Sequence, residues 1–204
     1  MKTFWIILSS LILFTGTANS QSNKAYCVQE ITWFGLDYSD ALFIDSKAFP
    51  DPYRLHRTLI GKWNELVFKE NQKFDIAKSF NKRYVNFNVS YINNRNRDAD
   101  IFKQISDDRF HQRLFNGDSI QNIVDSYLLN EDIDGVGLVF IVESLNKLDH
   151  EAIYWVTFFD VVSKKVLLTE QIIGKPSGRG LHNYWANSFY NALNKAERHM
   201  GFIF

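Results

Sequence analysis

The sequence predicts an α/β protein: a three-layer domain in which a mixed five-stranded sheet carries helices on both faces. Three observations point there. Segments with two-residue apolar alternation interleave with segments of helical spacing. Two segments, residues 135–143 (GVGLVFIVE) and 152–159 (AIYWVTFF), are apolar on both sides, as strands inside a covered sheet must be. Pro occurs three times and no Pro/Gly/Ser-rich linker divides the chain, so residues 21–204 are expected to form one domain.

The chain opens with Met1, Lys2 and Thr3, followed by an almost wholly apolar run over 4–14 and the small residues of Ala18-Asn19-Ser20. This is the charged–apolar–small order of a secretory signal, so residues 1–20 read as a signal peptide cut at Ser20/Gln21. The apolar run is shorter than the roughly 20 residues that span hydrocarbon, so no transmembrane segment is expected after cleavage. A lipoprotein would need a Cys directly after a small-residue cleavage motif. Cys27 follows Lys24-Ala25-Tyr26, a poor match. The expected location is the periplasm or the extracellular medium.

The elements follow in order. Residues 28–37 (VQEITWFGLD) are rich in β-branched and aromatic residues and predict strand 1. Asp51-Pro52 starts a helix, with Asp as cap and Pro at the first helical position. Leu55, Leu59, Trp63, Leu66 and Val67 give that helix its apolar stripe. Over 83–92, Val85, Phe87, Val89 and Tyr91 alternate with Asn86, Asn88 and Ser90 and predict strand 2. The polar stretch 93–100 reads as a solvated loop, and 101–115 as a weak helix. Gly117-Asp118-Ser119 is expected to cap a helix whose apolar set is Ile120, Ile123, Val124, Tyr127 and Leu128. Strands 3 and 4 are the two doubly apolar segments. A turn over 160–164 leads to strand 5 over 165–173. A Gly-rich loop, 174–180, enters a last helix striped by Leu181, Trp185, Phe189, Ala192, Ala196 and Met200, with Gly201 as its terminator.

The order β-α-β-α-β-β-β-α fixes an expected topology. Helical crossovers join parallel strands and are right-handed, and short connections make an antiparallel meander of strands 3, 4 and 5. The sheet order is then 2-1-3-4-5. Strands 1, 3 and 4 should be interior and strands 2 and 5 should be edges.

This order resembles the periplasmic α/β fold of the Tol-Pal translocation protein N-terminal domain and the curli-secretion channel subunit. The segment 157–167 (TFFDVVSKKVL) is similar to the strand, Asp, turn, Lys, Val-Leu hairpin of those domains, and Gly135-Val136-Gly137 before strand 3 fits as well. The chain also looks like exported bacterial proteins with Tyr-Trp-Ala near the start of the C-terminal helix, here Tyr184-Trp185-Ala186. The resemblance implies a non-enzymatic protein of the bacterial envelope and brings no catalytic residues with it.

Composition narrows the function further. Lys2 leaves with the signal, so 22 basic face 23 acidic residues and no basic stripe is present; nucleic-acid binding is not expected. Cys27 is the only cysteine, so no internal disulfide can form, and the lone thiol is expected to be buried and inert. Asn88-Val89-Ser90 fits a glycosylation pattern without meaning in a bacterial setting. Trp33, Trp63, Trp155 and Trp185 supply core and could leave an apolar patch for an envelope protein partner.

The site residues come from topology. In open α/β sheets ligands bind beyond the carboxyl ends of strands where the order reverses, here between strands 1 and 3. Asp37, Tyr38, Ser39 and Asp40 arrive from one strand, and Glu143, Ser144 and Asn146 from the other. Carboxylates and hydroxyls converging there would bind a polar ligand. Lys175, Ser177 and Arg179, in the loop before the last helix, are candidates for anion binding at a helix N-terminus. No cofactor or metal is expected: His56, His111, His150, His182 and His199 make no zinc-like i, i+4 pair, and Asp149-His150-Glu151 reads as a turn. The expected function is an envelope accessory or binding protein acting by contact. Its rival is a periplasmic hydrolase using Ser119, from the block Gly117-Asp118-Ser119-Ile120, or the carboxylates of Asp37 and Glu143.

Overall fold

A computed structural model describes residues 23–200; the signal peptide expected over residues 1–20 and the expected terminator Gly201 lie outside the described residues. A helical turn over 23–27 precedes β1 (Glu30–Asp37) and β2 (Leu42–Ile44). Next, α1 (Pro52–Arg54) continues through a π-helical segment, Leu55–Leu59, into α2 (Ile60–Lys69). Then come α3 (Ile76–Ser79), β3 (Tyr84–Phe87), α4 (Ser90–Asp98), α5 (Ile101–Gln104) and β4 (Ile105–Ser106). The chain ends with α6 (Gly117–Asp125), β5 (Val136–Asn146), β6 (Glu151–Asp160), β7 (Val166–Gly174) and α7 (Leu181–His199).

The protein is mixed α/β with a largely parallel sheet, but the sheet differs from the expected five strands. It has seven, along the path β3-β1-β5-β2-β4, with β6 pairing β5 and β7 off that path. The extra strands, β2 and β4, have three and two residues, too few to show a period in sequence. β5 is long enough for two partners in succession: β1 along 137–141 and β2 along 144–146, both parallel. β5, β6 and β7 run antiparallel.

Further expectations are corrected. The strand expected over 83–92 ends at Phe87, and α4 takes up the end of it and most of the stretch expected as a loop. Residues 101–115 hold one short helix, α5, and the two-residue β4. Asn116, not Asp118 or Ser119, caps α6: its Oδ1 accepts the Ser119 N–H at 2.9 Å. Cys27 is exposed, because the turn over 23–27 buries Ala25 instead.

Apolar side chains form two clusters that share the strands by alternation. Leu138 and Phe140 belong to the larger, with α2, α3 and α7; Val139 and Ile141 belong to the smaller, with α6 and Ile92 of α4. Phe140 is fully buried against Trp33 (ring centroids 5.5 Å) and Phe189 (5.2 Å). Burying such a side chain is worth about 1.5–3 kcal/mol. Two bulges reset the alternation. One lies between Trp33 and Gly35 in β1, so Trp33 and Leu36 both face the larger cluster. The other lies between Val142 and Ser144 in β5. Gly35 has φ +108°, and a Cβ there would lie 2.6 Å from Oδ1 of Asn64. Only glycine lets α2 bring that amide against the strand.

Candidate functional site

The carboxyl end of β1 has lost its outer strand. β3 pairs with β1 as far as Phe87, opposite Trp33, and then turns into α4. Side-chain amides from three helices take over the backbone groups beyond that point. Asn64 of α2 accepts the Leu36 N–H at 2.5 Å and donates to the Leu36 carbonyl at 3.0 Å. Asn96 of α4 donates to the same carbonyl at 2.9 Å and accepts the Tyr38 N–H at 2.7 Å. Gln104 of α5 donates to the carbonyls of Tyr38 (2.6 Å) and Ser39 (2.9 Å). An amide carries one acceptor and two donors, so it can stand in for a strand. The same bonds explain why an Asn-rich segment is helical: tertiary contacts override its weak propensity.

This bracing sets Ser39 and Asp40 in the wall of a cleft of about 510 Å³ between α4 and the end of α6. Asp37 lies behind it, 1% exposed. Its Oδ1 accepts the Ser39 N–H (2.9 Å) and hydroxyl (2.6 Å). Its Oδ2 accepts the Tyr127 hydroxyl (2.9 Å) and Nε of Arg95 (3.3 Å). Arg95 also donates to Oδ2 of Asp40 at 2.8 Å and lies over the Tyr127 ring, 5.6 Å from its centroid. Burial opposes the Arg95 charge, yet Asp37, Tyr127 and Asp40 outweigh it and raise its pKa. Burial, then the Asp37 charge, pushes the Tyr127 hydroxyl well above the ordinary tyrosine range.

The cleft is acidic. Asp40 and Asp98 line it and Asp37 backs it, three carboxylates against Arg95 in the wall and Arg113, which donates to the Asp40 carbonyl at 3.0 Å. Asp98 also ends α4, where the helix presents its carbonyls. Tyr91 and Leu128 supply aromatic and apolar wall, and Leu128 is 87% exposed.

The residues expected to share one cleft fall into four places. Asp37, Ser39 and Asp40 meet as described. Tyr38 points into the core, against Trp63 (5.5 Å) and Phe43 (6.3 Å), and burial raises its pKa well above normal. Glu143 sits at the β5 bulge. Its Oε2 accepts Nε1 of Trp155 (2.8 Å) and Nε2 of Gln171 (3.2 Å), from the strands on the far side of β5. Ser144 and Asn146 line a separate cleft of about 430 Å³, where Arg109 pairs with Asp149.

The expected anion loop is also divided. Lys175 borders a groove with Lys195 and Arg198 of α7, its carbonyl accepting from Asn191 at 2.7 Å. The Ser177 carbonyl accepts from Asn187 at 3.0 Å, and Arg179 is exposed with no ion pair among the described residues. The Ser119 hydroxyl donates to Asn116 at 3.1 Å, and among the described residues no histidine bonds it. No group of three metal-ligating side chains occurs among the described residues.

Arg95, Tyr127, Asn64, Asn96 and Gln104 were not foreseen. Tyr127 stood in the α6 stripe, indistinguishable from core. Arg95 and Asn96 stood in a stretch with no apolar period. The one signal was Tyr91, Ile92, Arg95 and Asp98 at helical spacing, with a single aliphatic residue among them. Comparison of the chain with protein-family models, with characterised proteins and with solved structures finds no match.

Proposed function

We propose that this chain is an exported binding protein of the bacterial envelope that acts by contact, and that its acidic cleft holds a ligand bearing a cationic group. One observation carries the reading. Three carboxylates line or back the cleft, against Arg95 in its wall and Arg113, which donates to the Asp40 carbonyl at 3.0 Å, so among the described residues the site keeps a net negative charge. Tyr91 adds aromatic surface, which favours an ammonium or guanidinium over a metal ion. Export and the envelope setting rest on the signal-like residues 1–20.

Contact is favoured over acid–base chemistry by the state of Asp37. Both its oxygens are occupied by fixed donors, which leaves no lone pair placed to take a proton from a substrate. Ser119 lacks a hydrogen-bonded base among the described residues.

Titration with agmatine, followed by the ring resonances of Tyr91 and Tyr127, tests the proposal. Both rings should shift with a common dissociation constant, and Asp40→Asn with Asp98→Asn should weaken it about tenfold. Rings that stay still while agmatine is raised to tens of millimolar would remove the reading.

A further inference from the structure

A second cleft, of about 430 Å³, borders the first at Ala99 and has the opposite charge. The geometry points to a binding site there for a phosphate group carried on a flat ring, as in a phosphomonoester of an aromatic alcohol or a nucleotide. Arg57 and Arg97 both line the cleft, and neither has a carboxylate partner among the described residues. Among the described residues Arg97 is bonded to Asn94, through Nη2. The one carboxylate in the wall, Asp100, is already paired with Lys103 at 3.2 Å. Two guanidiniums with no ion-pair partner among the described residues, in a cleft whose one carboxylate is held by Lys103, suit a dianion, and their forked donors suit phosphate oxygens.

Two aromatic rings supply the rest. Tyr53 and Phe102 meet edge to face at 5.2 Å, yet remain 59% and 56% exposed. Large rings so open to water, beside arginines with no carboxylate partner among the described residues, form a corner against which a flat ring can pack. Arg57 already lies over Tyr53, 5.9 Å from its centroid, which directs the guanidinium along the ring.

The backbone marks the same wall. His56 and Arg57 sit in the π-helical segment Leu55–Leu59, closed by the Ile60 N–H bonding the Leu55 carbonyl. Such segments cost helix stability and concentrate at functional sites. Here the segment brings Nε2 of His56 to 2.9 Å from the Asn96 carbonyl, tying this wall to α4. The first cleft uses Tyr91, Arg95 and Asp98 of α4, whereas Arg97, two residues from Arg95, projects to the other side.

Calorimetric titration of the folded chain with phenyl phosphate, inorganic phosphate and phenol tests the assignment. Phenyl phosphate should bind at about 1 mM or tighter, a strength in keeping with its size. Inorganic phosphate and phenol should each bind about tenfold more weakly. Arg57→Ala with Arg97→Ala should weaken phenyl phosphate about tenfold and Phe102→Ala several-fold, at unchanged melting temperature. Asp40→Asn, in the other cleft, should leave phenyl phosphate binding unchanged. Three results would overturn the site: no binding at 10 mM, binding that survives loss of both arginines, or inorganic phosphate held as tightly as phenyl phosphate. The last would reduce it to a diffuse positive patch.

Discussion

The two clefts that meet at Ala99 are built on opposite plans. In the acidic cleft every central group is braced: Asp37 takes four hydrogen bonds, Arg95 has two carboxylates, and the backbone behind them is held by Asn64, Asn96 and Gln104. In the basic cleft Arg57 and Arg97 lack carboxylate partners among the described residues, and Tyr53 and Phe102 stand in water. The difference separates two meanings of polarity at a surface. Buried, paired charge shapes the fold and is costly to disturb. Exposed, unpaired charge contributes nothing to the fold and is free to meet a ligand. Mutations should therefore affect stability on one side of α4 and binding on the other.

The strongest test of that contrast is Asp37→Ala. It strands the Tyr127 hydroxyl, the Ser39 N–H and a half-buried guanidinium, and should cost about 3 kcal/mol in denaturant unfolding. A loss under about 1 kcal/mol would mean water replaces the carboxylate and the bracing is superficial. Asn96→Ala comes next. It frees the Leu36 carbonyl of one donor and leaves the Tyr38 N–H buried without its acceptor, for about 2 kcal/mol. Hydrogen exchange should show the extra opening at Tyr38 itself, with the β5–β6 pairing unaffected.

Tyr127→Phe should cost about 1 kcal/mol at neutral pH, for one bond to a charged acceptor. Its sharper signature is alkaline. The folded pKa of Tyr127 lies above the ordinary value near 10, so above pH 10 the folded chain holds a proton that the unfolded chain releases. Stability is complete below that pH and falls as pH rises past it. Tyr38 and Tyr154, also raised by burial, add to the same limb. Removing Tyr127 should flatten the limb by about 1.4 kcal/mol per pH unit. Urea midpoints measured from pH 8 to 11.5 would show whether the wild-type slope is steeper.

Much of the frame was legible because periodicity is a property of long elements. The 11 residues of β5, all buried, and the stripe of α7 announce themselves. What stayed hidden was short or held by tertiary bonds. β2 and β4 are too brief to show a period, and α4 has only Ile92 and Asn96 buried, so its sequence reads as a polar loop. The site shows the same division. That Asp37, Ser39 and Asp40 meet was predictable, because topology places strand ends. The fate of Glu143 was not, because one bulge turns its carboxylate toward Trp155. The basic cleft was invisible: Arg57 and Arg97 lie 40 residues apart, and a π-helical segment leaves no mark in apolar spacing.

The smallest effect bears hardest on the comparison. Arg57→Ala and Arg97→Ala, singly and together, should change unfolding free energy by no more than about 0.5 kcal/mol. The double variant could gain slightly, since two like charges in one cleft repel and the repulsion is strongest at low salt. Thermal melts at about 10 mM and 500 mM salt separate the outcomes, because screening should erase any gain. A loss above about 1 kcal/mol in either single variant would show that side to be braced as well. The two clefts would then be one continuous polar framework around α4, and the division between shape and binding would fail.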